Sequence, residues 1–309
     1  MASLSIGLNP NDVKTALDDV FVNGYTAEQH PQNASATTPE IFHQDTTDRN
    51  AVIWELYKGV GYWQSKQEEQ DVPQLTPRIG NQKTFTVSEY AGAVDVPRTF
   101  KRDDLHGVFE KTVQDMGVMA KVTQDLKAFS LFVNAFGTTT TADGVSLIND
   151  SHTALDGTTV DNNVGAALSE TTLFTAIRQL FEMKCQDGTL RGSLAKALLV
   201  PPALYKTAVE IAEARLRSGT PDNDPNVYSD KFGIKIFTSR FLGTAAPGGS
   251  NTAWFVLGDN HSIYRWVREG VQTVLVPWQN QRNNNYIYKG FFSEVVGVMN
   301  YEGISGSAT

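Results

Sequence analysis

Cysteine is almost absent from this chain, since Cys185 is the only one in 309 residues. A single thiol excludes an intrachain disulfide framework and a zinc site built on cysteines. No apolar run reaches the roughly eighteen residues of a transmembrane helix, and residues 1–25 lack the basic start and apolar stretch of a signal peptide. We therefore expect a reduced chain that folds in a cytoplasm and does not enter a membrane.

Catalytic and ligand-binding motifs are lacking as well. Neither GxGxxG nor GxxxxGK[ST] occurs, so no loop is predicted to cradle a nucleotide phosphate. The histidines are scattered, and none belongs to an HExxH motif. His152 directly follows Ser151, a spacing that does not suit a nucleophile and its base, and is interpreted as a surface-loop residue. We predict no catalytic residue, no metal site and no cofactor, and hence a protein that is not an enzyme.

Basic residues are outnumbered by acidic ones, 26 against 34, which gives a formal net charge of −8. Residues 1–55 contain Lys14 and Arg49 against five aspartates and three glutamates. This balance argues against a basic arm, or a chain-wide surface, that grips nucleic acid.

The longest predicted element is a helix over residues 103–136. Asp103 or Asp104 can cap its start, and Gly137 followed by a threonine run marks its end. At 1.5 Å per residue it would be roughly 50 Å long. Apolar residues recur along it at spacings of three and four, which predicts one buried face. That face comprises Leu105, Phe109, Val113, Met116, Ala120, Leu126, Phe129 and Val133.

The segment before this helix has few apolar residues with which to form its own core. A short helix capped by Asn11 precedes an irregular arm, and residues 58–100 are predicted to form a long hairpin with a polar stretch at Gln64 to Asp71. A two-stranded ribbon is only marginally stable alone in water. The hairpin should therefore lie on another subunit or fold back on its own domain, and the pattern does not decide between the two.

After the long helix, residues 169–270 alternate between helix and strand. Ser169 caps an amphipathic helix, and Ala197 to Val200 is a short apolar strand followed by a helix that Pro201 and Pro202 begin. Trp254 to Leu257 is a further buried strand, and residues 271–309 are predicted to be β, with a frayed tail from Gly303. The fold class is therefore α+β.

This order of elements resembles the major capsid protein of tailed double-stranded DNA bacteriophages, which has the Hong Kong 97-type fold. The most specific pieces are the junction VPRTFKRDDL at residues 96–105 and the turn LLVPPAL at residues 198–204. The chain is most similar to the Mu-like major head subunit branch. The resemblance implies an N-terminal arm (1–57), an extended E-loop hairpin (58–100), a periphery domain (101–167) with a spine helix (103–136), an axial α/β domain (168–270), and returning periphery-domain strands with a C-terminal tail (271–309).

The resemblance also implies a function. A structural protein of this kind self-assembles as hexamers and pentamers into the icosahedral head shell of a tailed phage. It is assembled in the host cytoplasm and resides in the virion. Implied partners are copies of itself, scaffold, portal and decoration proteins, and double-stranded DNA held by enclosure rather than by a specific site. Charged residues on the hairpin and at its junction with the helix are the candidate intersubunit contacts: Lys66, Glu68, Glu69, Arg78, Arg98 and Arg102.

Two other functions remain open at this point. An encapsulin-like nanocompartment shares the fold but encloses protein cargo. An α/β enzyme or binding module with a disordered front half would require a clustered catalytic set.

Overall fold

The chain is described here from a computed structural model, which covers residues 10–27, 33–57, 59–76, 79–97, 108–154, 157–213, 232–277 and 285–309. Its α-helices are α1 (Pro10–Tyr25), α2 (Val108–Val133), α3 (Glu170–Glu182) and α4 (Tyr205–Ala212), the last preceded by a 3-10 turn (Pro202–Leu204). Its strands are β1 (His43–Thr46), β2 (Ala51–Tyr57), β3 (Ile79–Thr86), β4 (Ser88–Pro97), β5 (His152–Thr153), β6 (Thr159–Val160), β7 (Ala195–Val200), β8 (Lys235–Thr238), β9 (Trp254–Gly258), β10 (Ile263–Val276), β11 (Asn285–Val298) and β12 (Ile304–Ser307).

Two four-stranded sheets organise the described residues. Sheet I has the order β1-β10-β11-β4, and sheet II has the order β12-β9-β7-β8. In sheet I the three long strands run antiparallel to their neighbours, and β1 joins β10 in parallel. Strands β2 and β3 form a separate antiparallel hairpin. The predicted α+β class is confirmed.

Both faces of sheet II are buried, which explains the nearly continuous apolar residues of its central strands β7 and β9. One face, with Leu199 and Phe255, packs against the C-terminal half of α2 and the segment around Phe42. The other face, with Leu198 and Trp254, is covered by α3 and α4. Helix α3 begins at the predicted cap, because Ser169 and Thr172 form a reciprocal capping box.

The long helix is α2, and its bounds differ from those predicted. Residues 103–107 lie outside the described part of the chain, and the helix ends at Val133 rather than at Phe136. Beyond Val133 the backbone tightens into turns, in which the Ala135 amide donates to Phe132 and the Gly137 amide donates to Asn134, at 3.1 and 3.0 Å. A helix end often tightens in this way before a glycine.

The predicted apolar face of α2 is also only partly correct. Val113 and Phe129 are buried as expected, but Leu126 is only half-buried. The buried positions next to it are polar, namely Gln124 and Asp125. The reason lies in the N-terminal segment, which crosses the helix here: the Ala36 amide donates to Asp125 Oδ1 at 2.7 Å.

The expected frayed tail is wrong. Residues 304–307 form β12, whose four residues are all buried and which pairs antiparallel with β9. Its Gly306 lies so close to the neighbouring strand that an added Cβ would be 2.9 Å from the Phe255 ring. A strand of Ile, Ser, Gly and Ser has almost no apolar pattern, and its burial depends on fitting beneath larger residues.

His152 was interpreted as a surface-loop residue, and this too is wrong. Its ring is fully buried, stacks on Tyr301 at 4.4 Å between ring centroids, and places Nδ1 2.7 Å from Asp143 Oδ2. The neighbouring Ser151 hydroxyl donates instead to Asn149 Oδ1, at 2.7 Å. The histidine therefore fastens a loop to the core and has no nucleophile beside it.

Candidate functional site: a projecting hairpin and an open strand edge

The base of the β2–β3 hairpin is anchored on sheet I by aromatic side chains. The Trp54 ring lies 4.7 Å from that of Tyr264 and 5.6 Å from that of Trp266, and the Phe85 ring lies 5.1 Å from that of Trp266, all between centroids. Contacts of this geometry contribute about 0.5–1.5 kcal/mol each beyond the burial of their area. The base is thus a fixed part of its own subunit.

Lys83 adds a polar clamp at the same place. Its ammonium group donates to the carbonyl oxygens of Thr140 and Val298, the latter at 3.1 Å, and lies 5.1 Å from the centre of the Phe85 ring. Burial lowers the pKa of Lys83, and Asp143 opposes that shift. A half-buried lysine held by carbonyl oxygens fixes the direction in which the hairpin leaves the sheet.

The distal part of the hairpin, residues 59–76, is largely exposed beyond the buried Gly59. Its large apolar side chains project into solvent: Tyr62 is 67% exposed, Trp63 is 88% exposed and Val72 is 74% exposed. Among the described residues, one tie reaches this stretch near its base, where the Leu190 amide donates to the Tyr62 hydroxyl oxygen at 2.8 Å. The base of the hairpin therefore folds back on its own chain, as one of the two alternatives predicted, and its distal part is uncovered in the single subunit.

Three of the predicted contact residues lie near the hairpin tip. Lys66, Glu68 and Glu69 are all exposed, and none of them forms an ion pair with another described residue. Residues 67–70 form a turn in which the Gln70 amide donates to the Gln67 carbonyl at 3.3 Å and Glu69 has φ of 64°. A non-glycine residue in the left-handed region is strained. The other three candidates, Arg78, Arg98 and Arg102, lie outside the described residues.

Strand β4 is the edge of sheet I. It pairs with β11 from Ser88 to Pro97, and no described strand pairs with its other side. Along it, Tyr90, Val94 and Val96 are wholly or partly buried, while Glu89, Ala91, Ala93 and Asp95 are exposed. The sequence pattern predicts the alternation of residues in this segment but places the segment on the return arm of the hairpin. Its actual partner, β11, lies almost 200 residues away in the chain, and a local pattern does not reveal so distant a pairing.

An open cleft of about 410 Å³ lies between α2 and the outer part of sheet I. Its lining is largely apolar and includes Met116, Met119, Tyr90, Gly92 and Phe291. The Tyr90 ring is held by stacking on Phe292 at 5.1 Å and by the Lys127 ammonium group at 5.8 Å from its centre. The cleft therefore has ordered walls and runs beside the free edge of β4.

A buried ion pair joins sheet I to the N-terminal segment and to α2. Arg265 Nε donates to Glu294 Oε2 at 2.9 Å, and Arg265 Nη1 donates to Gln44 Oε1 at 2.9 Å. Burial raises the pKa of Glu294, and Arg265 opposes that rise. The pair is closed off from solvent on both partners, so it positions elements and does not present a reactive group.

The described residues contain little reactive chemistry. They include no group of three or more His, Cys, Asp or Glu side chains placed to hold a metal ion. Cys185 is buried, and burial raises the pKa of its thiol to about 12, so the nucleophilic thiolate is scarce. No helix within the described ranges has both the length and the apolar character needed to cross a membrane. The features that stand out are the exposed distal hairpin and the unpaired edge of β4.

Comparison with solved structures identifies the fold. The capsid of cyanophage P-SCSP1u is similar with a TM-score of 0.58 at 11% sequence identity, over 92% of this chain and 91% of that chain. The mature capsid of bacteriophage PhiM1 gives a TM-score of 0.55 at 14% identity, over 92% and 89%. A virus-like particle from Pyrococcus furiosus gives 0.53 at 10% identity, over 95% and 98%. These similarities confirm the Hong Kong 97-type fold.

Comparison of sequences identifies the family. No curated protein sequence matches this chain significantly. A family model described as phage capsid protein matches residues 81–305, which is well over half of the chain. The chain therefore belongs to the phage capsid protein family, and it is a structural, shell-forming protein rather than an enzyme.

Proposed function

We propose that copies of this chain assemble as hexamers and pentamers into the icosahedral head shell that encloses the double-stranded DNA genome of a tailed phage. The observation that carries the proposal is the distal hairpin, where Tyr62, Trp63 and Val72 are exposed on a projecting element whose base is rigidly anchored. Clustered exposed apolar side chains mark a surface that another protein covers.

Such a hairpin suits a head-to-tail contact between identical subunits. Contacts of this type join one surface of a subunit to a different surface of the next, and they form rings when the rotation closes. Each contact can be modest in strength, because a closed shell engages many of them at once and raises their effective concentration. Assembly therefore supplies the free energy that orders the exposed parts of each subunit.

The proposed setting extends to partners and location. The subunit belongs to the Mu-like major head subunit branch, is assembled in the host cytoplasm and then resides in the virion. Scaffold, portal and decoration proteins are its partners. The packaged DNA is retained by enclosure, since a subunit with a net charge of −8 offers little electrostatic attraction to phosphates.

An encapsulin-like compartment is the main alternative, because a virus-like particle from Pyrococcus furiosus has a similar fold. The two functions differ in what the particle contains. Double-stranded DNA inside particles recovered from the natural source supports the head shell, whereas an enclosed enzyme supports the compartment. An isolated α/β enzyme predicts a small particle in size-exclusion chromatography.

The assembly step is tested by electron microscopy and size-exclusion chromatography of the expressed chain. We expect closed shells from the wild-type chain and unassembled subunits from a Trp63→Ser, Val72→Ser variant with unchanged thermal unfolding. Val22→Ser is the matched control, since Val22 is also exposed but lies on α1. Normal shells from the double variant contradict the role given to the hairpin.

A further inference from the structure

We propose that residues 59–66 of one copy, here called the arm, add to β4 of a neighbouring copy as a fifth, antiparallel strand of sheet I. In this arrangement Trp63 occupies the cleft between α2 and the sheet. The inference rests on the proposed shell-forming function and names the surface of the neighbour that receives the hairpin.

Strand β4 has the properties of an edge built to accept a strand. It runs from Ser88 to Pro97, and the amides and carbonyls on its outer side have no partner strand among the described residues. Proteins usually protect so long an edge with lysines, internal prolines or a covering element. Here the centre reads Ala91-Gly92-Ala93, and no lysine occurs anywhere in the strand. Addition of an extended chain to such an edge is a common mode of protein recognition.

The arm has the matching properties of the strand that is added. It contains no helix or strand of its own, and six of its eight residues are exposed, while Gly59 at its start is buried. Side chains of an extended chain alternate between two faces. In its extended part, one face of the arm would carry Trp63 and Ser65, a large side chain beside a small one, whereas Gly59 and Gly61, with φ of 83° and 77°, turn the chain before it. That pattern suits a ring that enters a cleft while its neighbours lie flat against a helix.

One register of the strand pair places Trp63 at the cleft and also brings residues of opposite charge together. When Trp63 is placed opposite Gly92 in an antiparallel pair, Lys66 lies opposite Glu89. Directly opposed residues point to the same face of a sheet. Gly92 shares the face of Tyr90 and Val94, so Trp63 would point towards Met116 and Met119.

Gly92 itself favours an aromatic partner. A Cβ added to Gly92 would meet no atom within 4 Å, so the space above this residue is open. Aromatic side chains opposite edge glycines stabilise strand pairs by covering the exposed backbone. The methionine sulfurs in the cleft would add favourable contacts with the indole ring.

Charge complementarity supports the same pairing. Lys66 is the only charged residue of the arm, and β4 carries Glu89 and Asp95 but no basic residue. All three side chains are exposed in the isolated subunit. The antiparallel direction extends the pattern of sheet I, whose long strands already alternate in direction, and antiparallel pairs are slightly the more stable.

Engineered disulfides test the register in assembled particles. We expect a Gln64→Cys, Ala91→Cys variant to form covalent multimers of two and more chains on non-reducing gels after mild oxidation. A Gln64→Cys, Ala93→Cys variant is the matched control, because a parallel strand would oppose those two positions instead. Each single-cysteine variant controls for random oxidation, and the native Cys185 is buried. Stronger crosslinking of the 64–93 pair overturns the register.

A charge exchange tests the same contact independently. We expect Lys66→Glu to raise the protein concentration needed for assembly several-fold, and the addition of Glu89→Lys to restore the wild-type value. Asp95→Lys in place of Glu89→Lys should give no rescue. Rescue by Asp95→Lys alone contradicts the antiparallel pair.

The outcomes separate this inference from the proposed function. If the wild-type chain forms shells but assembled particles of the Gln64→Cys, Ala91→Cys variant give no crosslink, the inference is overturned and the shell function stays in place. If the wild-type chain forms no multimers, the proposed function fails, and the inference is decided on the single full-length chain with a labelled peptide of residues 57–68. Saturable binding of that peptide, lost when its tryptophan is replaced by alanine, supports the strand addition, and no binding overturns it.

Discussion

Phe129 connects the long helix to the rest of the molecule. Its ring is fully buried and meets Phe42 edge-to-face at 5.5 Å between centroids. We predict that Phe129→Ala lowers the free energy of unfolding of the unassembled subunit by about 3–5 kcal/mol, because a large cavity remains in a packed core.

Denaturant unfolding checks this value, with Phe174→Ala as the control. Phe174 is half exposed on α3 and should cost less than about 1 kcal/mol. Equal losses for the two variants would show that the helix does not depend on this contact. Leu126, which the apolar periodicity also placed in the core, is a weaker test because it is only half-buried.

His261 makes stability depend on pH. Its ring is buried, stacks on His43 at 4.4 Å, accepts from the Ile263 amide at Nδ1 and lies 3.2 Å from the Glu40 carbonyl at Nε2. Burial, and then the neighbouring His43, lowers the pKa of His261 from 6.5 to about 4. Between about pH 4 and pH 6.5 the His261 imidazole is therefore protonated more readily in the unfolded chain than in the folded chain.

The contribution of the neutral, buried His261 to the free energy of unfolding is therefore complete above about pH 6.5. It is lost as the pH falls towards about 4, by no more than about 3 kcal/mol. We predict that His261→Gln, which keeps a donor and an acceptor but does not titrate, flattens the pH dependence of unfolding in this window. An unchanged pH profile in the variant would assign the acid sensitivity to other groups.

At the scale of elements, the hairpin has an anchored base and an exposed distal part to which we assign the assembly contact. We predict that replacing residues 64–74 with a short glycine-containing turn leaves the subunit folded, because the Trp54 and Phe85 contacts with sheet I remain. The same change should abolish shells, since it removes Lys66 and the exposed Val72 and leaves Tyr62 and Trp63 on a shortened loop. Thermal unfolding and electron microscopy measure the two effects separately.

The bounds of this deletion matter. Strand β3 begins at Ile79, so a cut that reached residue 80 would damage the base as well. A shortened chain that still builds closed particles would remove the hairpin from the assembly mechanism.

At the scale of the whole molecule, the net charge bears on the proposal that DNA is held by enclosure. With a net charge of −8 the subunit should bind double-stranded DNA only weakly at about 0.15 M salt. We expect no saturable binding in a fluorescence anisotropy titration of a DNA duplex with unassembled subunits. Tight binding at this ionic strength would indicate that the DNA is held by direct contact with the subunit rather than by enclosure.

The whole shell also explains why the subunit itself is unusual. An exposed tryptophan, a strained Glu69 turn and a long open strand edge are liabilities in a solitary protein. They are acceptable in a subunit whose copies cover one another. The family assignment and the exposed surfaces thus lead to the same conclusion from independent observations.

The sequence alone determined the features that depend on neighbours along the chain. Periodicity predicted the long helix and the strand ending at Val200, and Ser169 marked the start of α3 because a capping side chain acts on its own first turn. The absence of catalytic motifs correctly directed attention away from chemistry. The resemblance carried by the order of these elements led to the capsid family.

Only the tertiary structure decided which surfaces are covered. The buried state of His152 and of β12, the polar positions on the inner face of α2 and the open edge of β4 all depend on residues far apart in sequence. Local patterns report which face of an element is apolar. Pairing between distant segments depends on shape and on hydrogen-bond partners, which have no period, and so the surface that we propose for assembly became visible only in the folded chain.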